Sequence, residues 1–374
     1  MRDNLAEKLL AVVMQWTPDD IARERPDLQV MAKYKYDNYQ RFSPGLRFLE
    51  SLALWLEQFT QEERPIAYNF IKRRLIFCSE PEMTQLVSMA YPDYIRPLLL
   101  KEVALIRGYP EYQISKIANS QDFKILRRQS LFLGLSDGSR IDLFRRLNRE
   151  EINNEQIVTS YDISEKKAQD LKKNLRIDLE EIIGKKPDDE MCRFRYLFLL
   201  DDFSGSGKTY LREEEGEYDG KIVKVYDNEV YDKHPIRENS LPVKEILDEE
   251  NLLICVLLYM ATEQAIKYLK PLIKRLFQDN GYRYELLVIQ QLDEKIKVQK
   301  GLDSDFFCLA DKYYDPKVET EATRVGGTEN VKFGFANCSL PLVLSHNTPN
   351  NSVALLWSYE HLKIRGLFPR VSRH

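Results

Sequence analysis

One stretch limits what this chain can become: Arg195 to Tyr210, RYLFLLDDFSGSGKTY, where a bulky apolar run stops on two acids and turns into a glycine- and serine-rich loop. Tyr196 to Leu200 is short and apolar, which suits a strand buried on both faces of a parallel sheet. Asp201 and Asp202 close that run at its carboxyl end, and open α/β sheets place their ligands just past that end. Ser204, Gly205, Ser206, Gly207, Lys208 and Thr209 follow at once. Small hydroxyls and several backbone N–H groups at the start of a helix suit an anion, most economically a phosphate.

Spacing separates the two kinds of loop that fit this description. A nucleotide-binding P-loop ending on Gly207-Lys208-Thr209 would need its first glycine at position 202, and that position is Asp202. A carboxylate there would face the phosphates that the loop should cradle; this reading requires ATP hydrolysis dependent on Lys208. The second pattern is an apolar strand, two acids, an apolar residue, two variable residues and then Thr/Ser-Gly-x-Thr. Asp201-Asp202-Phe203-Ser204-Gly205-Ser206-Gly207-Lys208-Thr209 fits it at every place, and so resembles the phosphoribosyltransferase signature.

That resemblance implies roles. Ser204 to Thr209 would wrap the 5-phosphate of a ribose phosphate, with Lys208 as an additional cation. Asp201 and Asp202 would hold the ribose hydroxyls and, indirectly through ribose or water, a Mg²⁺ ion. The implied donor substrate is phosphoribosyl pyrophosphate. The plain alternative is a strand–loop–helix corner whose acids only solvate its end.

The rest of the chain narrows the setting. Net charge is −4, so there is no global basic signature for nucleic acid. The five cysteines lie far apart without a Cys-x-x-Cys pair, and the four histidines are scattered. Reduced core thiols in a cytoplasmic protein are the expectation. No membrane span is called for, and the first residues lack the pattern of a signal peptide.

Residues 1 to about 125 read as helical throughout. Thr60-x-x-Glu63 and Ser79-x-x-Glu82 have the form of capping boxes, predicting helices from near Gln61 and Glu80. This portion is expected to support the sheet or dock a protein partner. The pattern changes at Leu131 to Leu135, a strand-like run followed by the turn-rich Ser136, Asp137, Gly138, Ser139 and Arg140 and a helix from Ile141 to Asn148. In the resembled family a loop at this place holds pyrophosphate, with Gly138 admitting close backbone approach and Arg140 offering a bidentate cation. As pattern alone it is a connector.

Between these loops lie a short strand, Ile157 to Ser160, and a lysine-rich helix, Glu165 to Asn174, whose Lys166 and Lys167 fit either a solvated face or a pyrophosphate contact. After Thr209 the expected helix is broken by Gly216 and Gly220, and an insertion at about 213–249 follows, with strand-like Ile222 to Val225 and helix-like Val243 to Leu247. Strand Leu252 to Met260, helix Glu263 to Asp279 and strand Glu285 to Gln290 resume the alternation. Near the C-terminus, His346, Asn347, Asn350 and Asn351 crowd one loop: a base edge or acceptor could be read there, with His346 as a proton acceptor, or the loop is ordinary turn chemistry.

The expectation is therefore an α/β, phosphoribosyltransferase-like, doubly wound and mainly parallel sheet in residues 126–374, preceded by an all-helical module in 1–125. Taken whole, the chain resembles phosphoribosyltransferase-like proteins of bacterial conflict and defence systems. The resemblance implies an effector on nucleotide or phosphoribosyl pyrophosphate metabolism. The alternative is a non-catalytic, nucleotide-sensing or partner-binding subunit.

Overall fold

The computed structural model describes residues 2–158, 163, 165–227 and 243–370. The chain forms two compact units, Met1–Met83 with Asp293–His374, and Thr84–Leu292. The division does not coincide with the expected boundary near residue 125.

The first unit opens with helices Arg2–Met14, Pro18–Tyr34, Phe48–Glu57 and Arg64–Arg74. Thr17 caps the second of these with a reciprocal box to Asp20. Helix Arg64–Arg74 starts later than the predicted Gln61: the Thr60 N–H donates to the Glu63 carboxylate at 3.1 Å, so the predicted box closes a turn instead. The Ser79 box forms as predicted, with Ser79 N–H to Glu82 at 2.7 Å at the start of helix Glu80–Met89. The portion is helical as expected, with one short exception, β1 (Ile76–Cys78).

The second unit is organised by a sheet. Its strands in chain order are β2 (Ser130–Gly134), β3 (Ile157–Val158), β4 (Tyr196–Ser204), β5 (Arg212–Glu214), β6 (Glu217–Asp219), β7 (Leu253–Thr262) and β8 (Arg283–Leu292). β3-β2-β4-β7-β8 is the order of the five-stranded sheet, and every neighbour pair is parallel. Helices lie on both faces. Leu131, Leu133, Leu197, Leu199, Ile254 and Val256 pack with Leu171, Leu175 and Leu269 from helices Glu165–Ile183 and Glu263–Gln278. The alternate residues Phe132 and Phe198 stack at 5.1 Å, and Phe132 meets Phe144 of helix Ile141–Leu147. Both faces of β4 are thus covered, which is why Tyr196 to Leu200 is apolar without alternation. This is the expected doubly wound α/β fold.

Two local readings differ. Residues 221–225 form a helix, Lys221–Val225, not a strand; its β-branched residues Ile222, Val223 and Val225 are buried in the core, and that packing overrides their strand propensity. The antiparallel pair β5–β6 stands where a helix was expected after the loop. Residues 159–160 and 228–242 of the predicted strand and insertion lie outside the described residues.

The chain then returns to the first unit, where β9 (Leu342–Leu344) pairs parallel with β1. Phe368 packs among Tyr36, Tyr39 and Phe48, and the Trp55 indole N–H donates to the Leu355 carbonyl at 2.9 Å. No helix among the described residues is long and apolar enough to cross a membrane.

Candidate functional site

Counting only the sheet strands of the second unit, the order is 2-1-3-4-5, and the direction of winding reverses between β2 and β4. Ligands of doubly wound sheets bind in the crevice at that reversal, outside the carboxyl ends of the strands. β2 and β4 run in register there, Gly134 opposite Leu200, and the Leu135 N–H donates to the Leu200 carbonyl at 2.9 Å. The loops that the sequence singles out, 136–140 and 201–209, therefore leave neighbouring strands at the same end.

The two loops are bound to each other. The Ser136 hydroxyl donates to Asp201 Oδ1 at 2.5 Å, and a Cβ added to Gly138 would lie 2.8 Å from Asp202 Oδ2. A side chain at 138 would push that carboxylate aside, so the close approach favours glycine. Ser139 is buried against Gly134, and the exposed member of this loop is Asp137. Arg140 takes a left-handed backbone, φ 51°, at the entry to helix Ile141–Leu147. Such a conformation is strained for a residue with a Cβ and is held by its surroundings.

The paired acids are not equivalent. Asp201 is fully buried, Oδ2 accepts from Lys221 Nζ at 2.6 Å, and Oδ1 accepts from Ser136 and from the Asp202 N–H at 3.1 Å. Burial raises its carboxyl above the ordinary range and the Asp202 charge adds to that, while Lys221 and Ser136 act against both. Asp202 is half-buried, with Oδ1 accepting from the Phe203 N–H at 2.7 Å. Asp201 fixes the crevice; Asp202 faces it.

The strand runs further than its apolar residues, through both acids to Ser204. Ser204 to Gly207 are buried, Lys208 is half-buried and Thr209 is exposed. The Thr262 hydroxyl, capping helix Glu263–Gln278, donates to the Gly205 carbonyl at 2.5 Å, and the Ser206 hydroxyl accepts from the Lys208 N–H at 3.3 Å. Gly207 has φ +81°, and a Cβ there would meet Leu269 and Tyr268 at 2.8 Å. Its need for glycine thus comes from packing on that helix as well as from turn geometry. The helix expected after the loop starts at Lys221, where the Lys221 and Ile222 N–H groups donate to the Thr209 and Tyr210 carbonyls at 3.1 and 3.0 Å. The β5–β6 hairpin is a detour between the loop and its helix.

Sequence reasoning gave no role to Lys221 or Tyr210 and took Ser136 only as part of its loop. Lys221 Nζ sits 4.7 Å from the Tyr210 ring centroid as well as on Asp201, and the Tyr210 hydroxyl donates to the Phe203 carbonyl at 2.8 Å. Nothing in the sequence marks Lys221, because it lies in a charged segment read as insertion.

The C-terminal candidates belong to the first unit and the paired acids to the second. There the Asn351 amide donates to the Phe335 carbonyl and to Cys338 Sγ, each at 3.3 Å, and the Thr348 hydroxyl donates to the Phe368 carbonyl at 2.9 Å. Asn347 and Leu344 exchange backbone bonds at 3.0 and 3.3 Å, Asn350 accepts from the Phe335 N–H at 2.7 Å, and the His346 carbonyl accepts from Arg41 at 2.9 Å. Among the described residues, Lys166 is exposed and Lys167 half-buried.

A doubly wound parallel sheet with an acidic-pair loop and a second loop meeting at its switch point defines a phosphoribosyltransferase-like protein. The chain belongs to the PRTase-CE family, whose model matches residues 52–370. No curated protein and no solved structure matches the chain. The family match runs through parts of both compact units and leaves residues 1–51 outside it.

Proposed function

We propose that the protein binds phosphoribosyl pyrophosphate, or a related ribose 5-phosphate donor, with Mg²⁺, and catalyses transfer or hydrolysis at C1 of the ribose. The observation that supports this most is the meeting of loops 136–140 and 201–209 at the switch point, with Gly138 backed onto Asp202. In this reading Asp202 takes the ribose hydroxyls, and Lys208 and Thr209, at the open end of their loop, take the 5-phosphate. Arg140 and the 136–140 backbone meet the pyrophosphate. Asp201 holds Lys221 and Ser136 and so orders the crevice. Departure of pyrophosphate leaves an electron-poor sugar, so the residues work by positioning the donor and stabilising leaving-group charge.

Mg²⁺, when bound, spreads the charge of the pyrophosphate oxygens. The donor set suits an ion that arrives on phosphates and keeps its waters: Asp202 offers one carboxylate, and no group of three His, Cys, Asp or Glu among the described residues could cage a metal. His346, Asn347 and Asn350, in the other unit, carry no part of this reading, and the amide of Asn351 is committed to Phe335 and Cys338. The resemblance to conflict-system proteins suggests the setting, an effector that depletes or redirects a phosphoribosyl donor during phage infection.

A sensor reading has its own support. Outside the family match, helix Arg2–Met14 leaves Leu5, Leu9 and Val12 exposed at helical spacing, which suits a surface covered by a partner. One experiment separates the two. Purified protein is incubated with phosphoribosyl pyrophosphate, Mg²⁺ and pooled nucleobases, with pyrophosphate release and calorimetric binding both recorded. Release that Asp202→Asn abolishes supports the enzyme, binding without release supports the sensor, and no binding overturns the site.

A further inference from the structure

Behind the two loops, β7 contributes a residue that the reading above does not use. Leu258 and Met260 pair with Asp201 and Phe203, so Tyr259 lies beside Asp202 on the neighbouring strand, with its side chain on the same face of the sheet. Tyr259 is fully buried, and its hydroxyl has no hydrogen-bond partner among the described residues. Buried polar groups are nearly always paired, and phenylalanine would fill the same space without that cost. A tyrosine retained here points to a partner that arrives later.

The charged groups acting on the hydroxyl name the candidates: Asp201, Asp202 and Arg140, after burial as the main cause, with the two acids pushing the phenol up and Arg140 drawing it down. The phenol thus stays protonated and is a donor. Arg140 offers no acceptor. Asp201 already accepts from Ser136, Lys221 and the Asp202 N–H. Asp202 is the acid that the strand register places beside Tyr259 on its own face of the sheet, and the one that faces the crevice.

We propose that Tyr259 is a positioning residue of the ribose site: when a ribose phosphate engages Asp202 and reorients its carboxylate, the Tyr259 hydroxyl donates to that carboxylate and holds it on the sugar. The inference rests on the ribose phosphate reading of the crevice. It makes the site one of two layers, with Asp202 touching the ligand and Tyr259 locking Asp202 from the strand behind.

The test is Tyr259→Phe, titrated by calorimetry with phosphoribosyl pyrophosphate and Mg²⁺ and melted without ligand. The expected result is about tenfold weaker binding, the scale of one hydrogen bond to a charged group, with a melting temperature equal to or above that of the wild type. Affinity is then measured in Asp202→Ala with and without Tyr259→Phe. If Tyr259 acts through Asp202, its substitution costs nothing further there. Unchanged affinity in Tyr259→Phe, with the wild type binding normally, overturns the inference and leaves the site reading intact. A markedly lower melting temperature also overturns it, because the hydroxyl would then serve the unliganded fold. Failure of the wild type to bind overturns the site reading and this inference with it.

Discussion

Two loops of this molecule look alike in sequence and differ in structure. Asp201–Thr209 and His346–Ser352 each follow a buried strand and each gather small polar side chains. In the second, Thr348, Asn351 and Ser352 all turn back to their own chain, the Ser352 hydroxyl donating to the Leu342 carbonyl at 2.6 Å. In the first, the two acids stand differently: Asp201 is fully buried on Lys221, while Asp202 is half-buried at the close approach of Gly138. The density of polar residues does not identify a site. What identifies it is where the polar groups stand in the fold, here at the carboxyl ends of two neighbouring strands at the switch point of the sheet.

The largest effect that tests this contrast is Lys221→Met. It strips Asp201 of its cation inside the crevice, and removing one partner of a buried pair costs about 3 kcal/mol or more. Protonation of Asp201, favoured by its burial, holds the cost near the lower end. Lys208→Met, on the open side of the loop, should leave the melting temperature within a degree or two. Equal destabilisation by the two substitutions would mean that Asp201 is no more structural than its neighbour.

Asp202→Asn comes next and should invert that result. Affinity for phosphoribosyl pyrophosphate is expected to fall about a hundredfold, close to 2.7 kcal/mol, with little change in thermal stability. Measured by calorimetry and thermal melts, a large stability loss with intact binding would exchange the roles assigned to the two acids. Asn351→Ala sharpens the other side of the comparison: about 1–2 kcal/mol of stability should be lost with the Phe335 and Cys338 bonds, and donor binding should be untouched. Weakened donor binding in a normally folded Asn351→Ala protein would instead make that loop a ligand site.

Much of this was legible in the sequence, and for identifiable reasons. β4 declares itself because burial on both faces of a parallel sheet leaves no polar alternation, and the 201–209 spacing is set by local loop geometry. The helix at Lys221–Val225 was hidden because β-branched residues there answer to the core rather than to propensity. β1 was hidden because its partner β9 lies more than two hundred residues away in the chain, a pairing that no local pattern encodes. Lys221 and Tyr259 were missed for a similar reason. Each becomes part of the crevice through a neighbour fixed by tertiary structure, Lys221 through its ion pair with Asp201 and Tyr259 through the β4–β7 register. The same long-range pairing gives the first unit both ends of the chain, so a boundary drawn at a change of local pattern could not find it.

The smallest effect expected is in pH dependence, where the two units should oppose each other. In the first unit burial acts to raise the Glu63 carboxyl, but Lys312 and Tyr313, each at 2.6 Å, and the Thr60 N–H outweigh it and hold the group at about 2. Its folded value lies below its unfolded one. The stability it contributes is therefore complete above its ordinary 4.5 and lost as pH falls toward 2. Asp201 in the second unit is displaced upward, so its contribution is complete below the ordinary carboxylate value and declines as pH rises through the folded one. Glu63→Gln should cost about 1 kcal/mol at pH 7, the scale of an ion pair near the surface, and that difference from the wild type should shrink below pH 4. Asp201→Asn should differ from the wild type in the opposite sense, comparing worst near pH 4 and better as pH rises, because asparagine carries no buried charge to penalise. Melting curves of the three proteins between pH 3 and 8 test both signs; parallel curves for the two variants would show that the buried acid of the crevice and the ion-paired acid of the first unit are held in the same way.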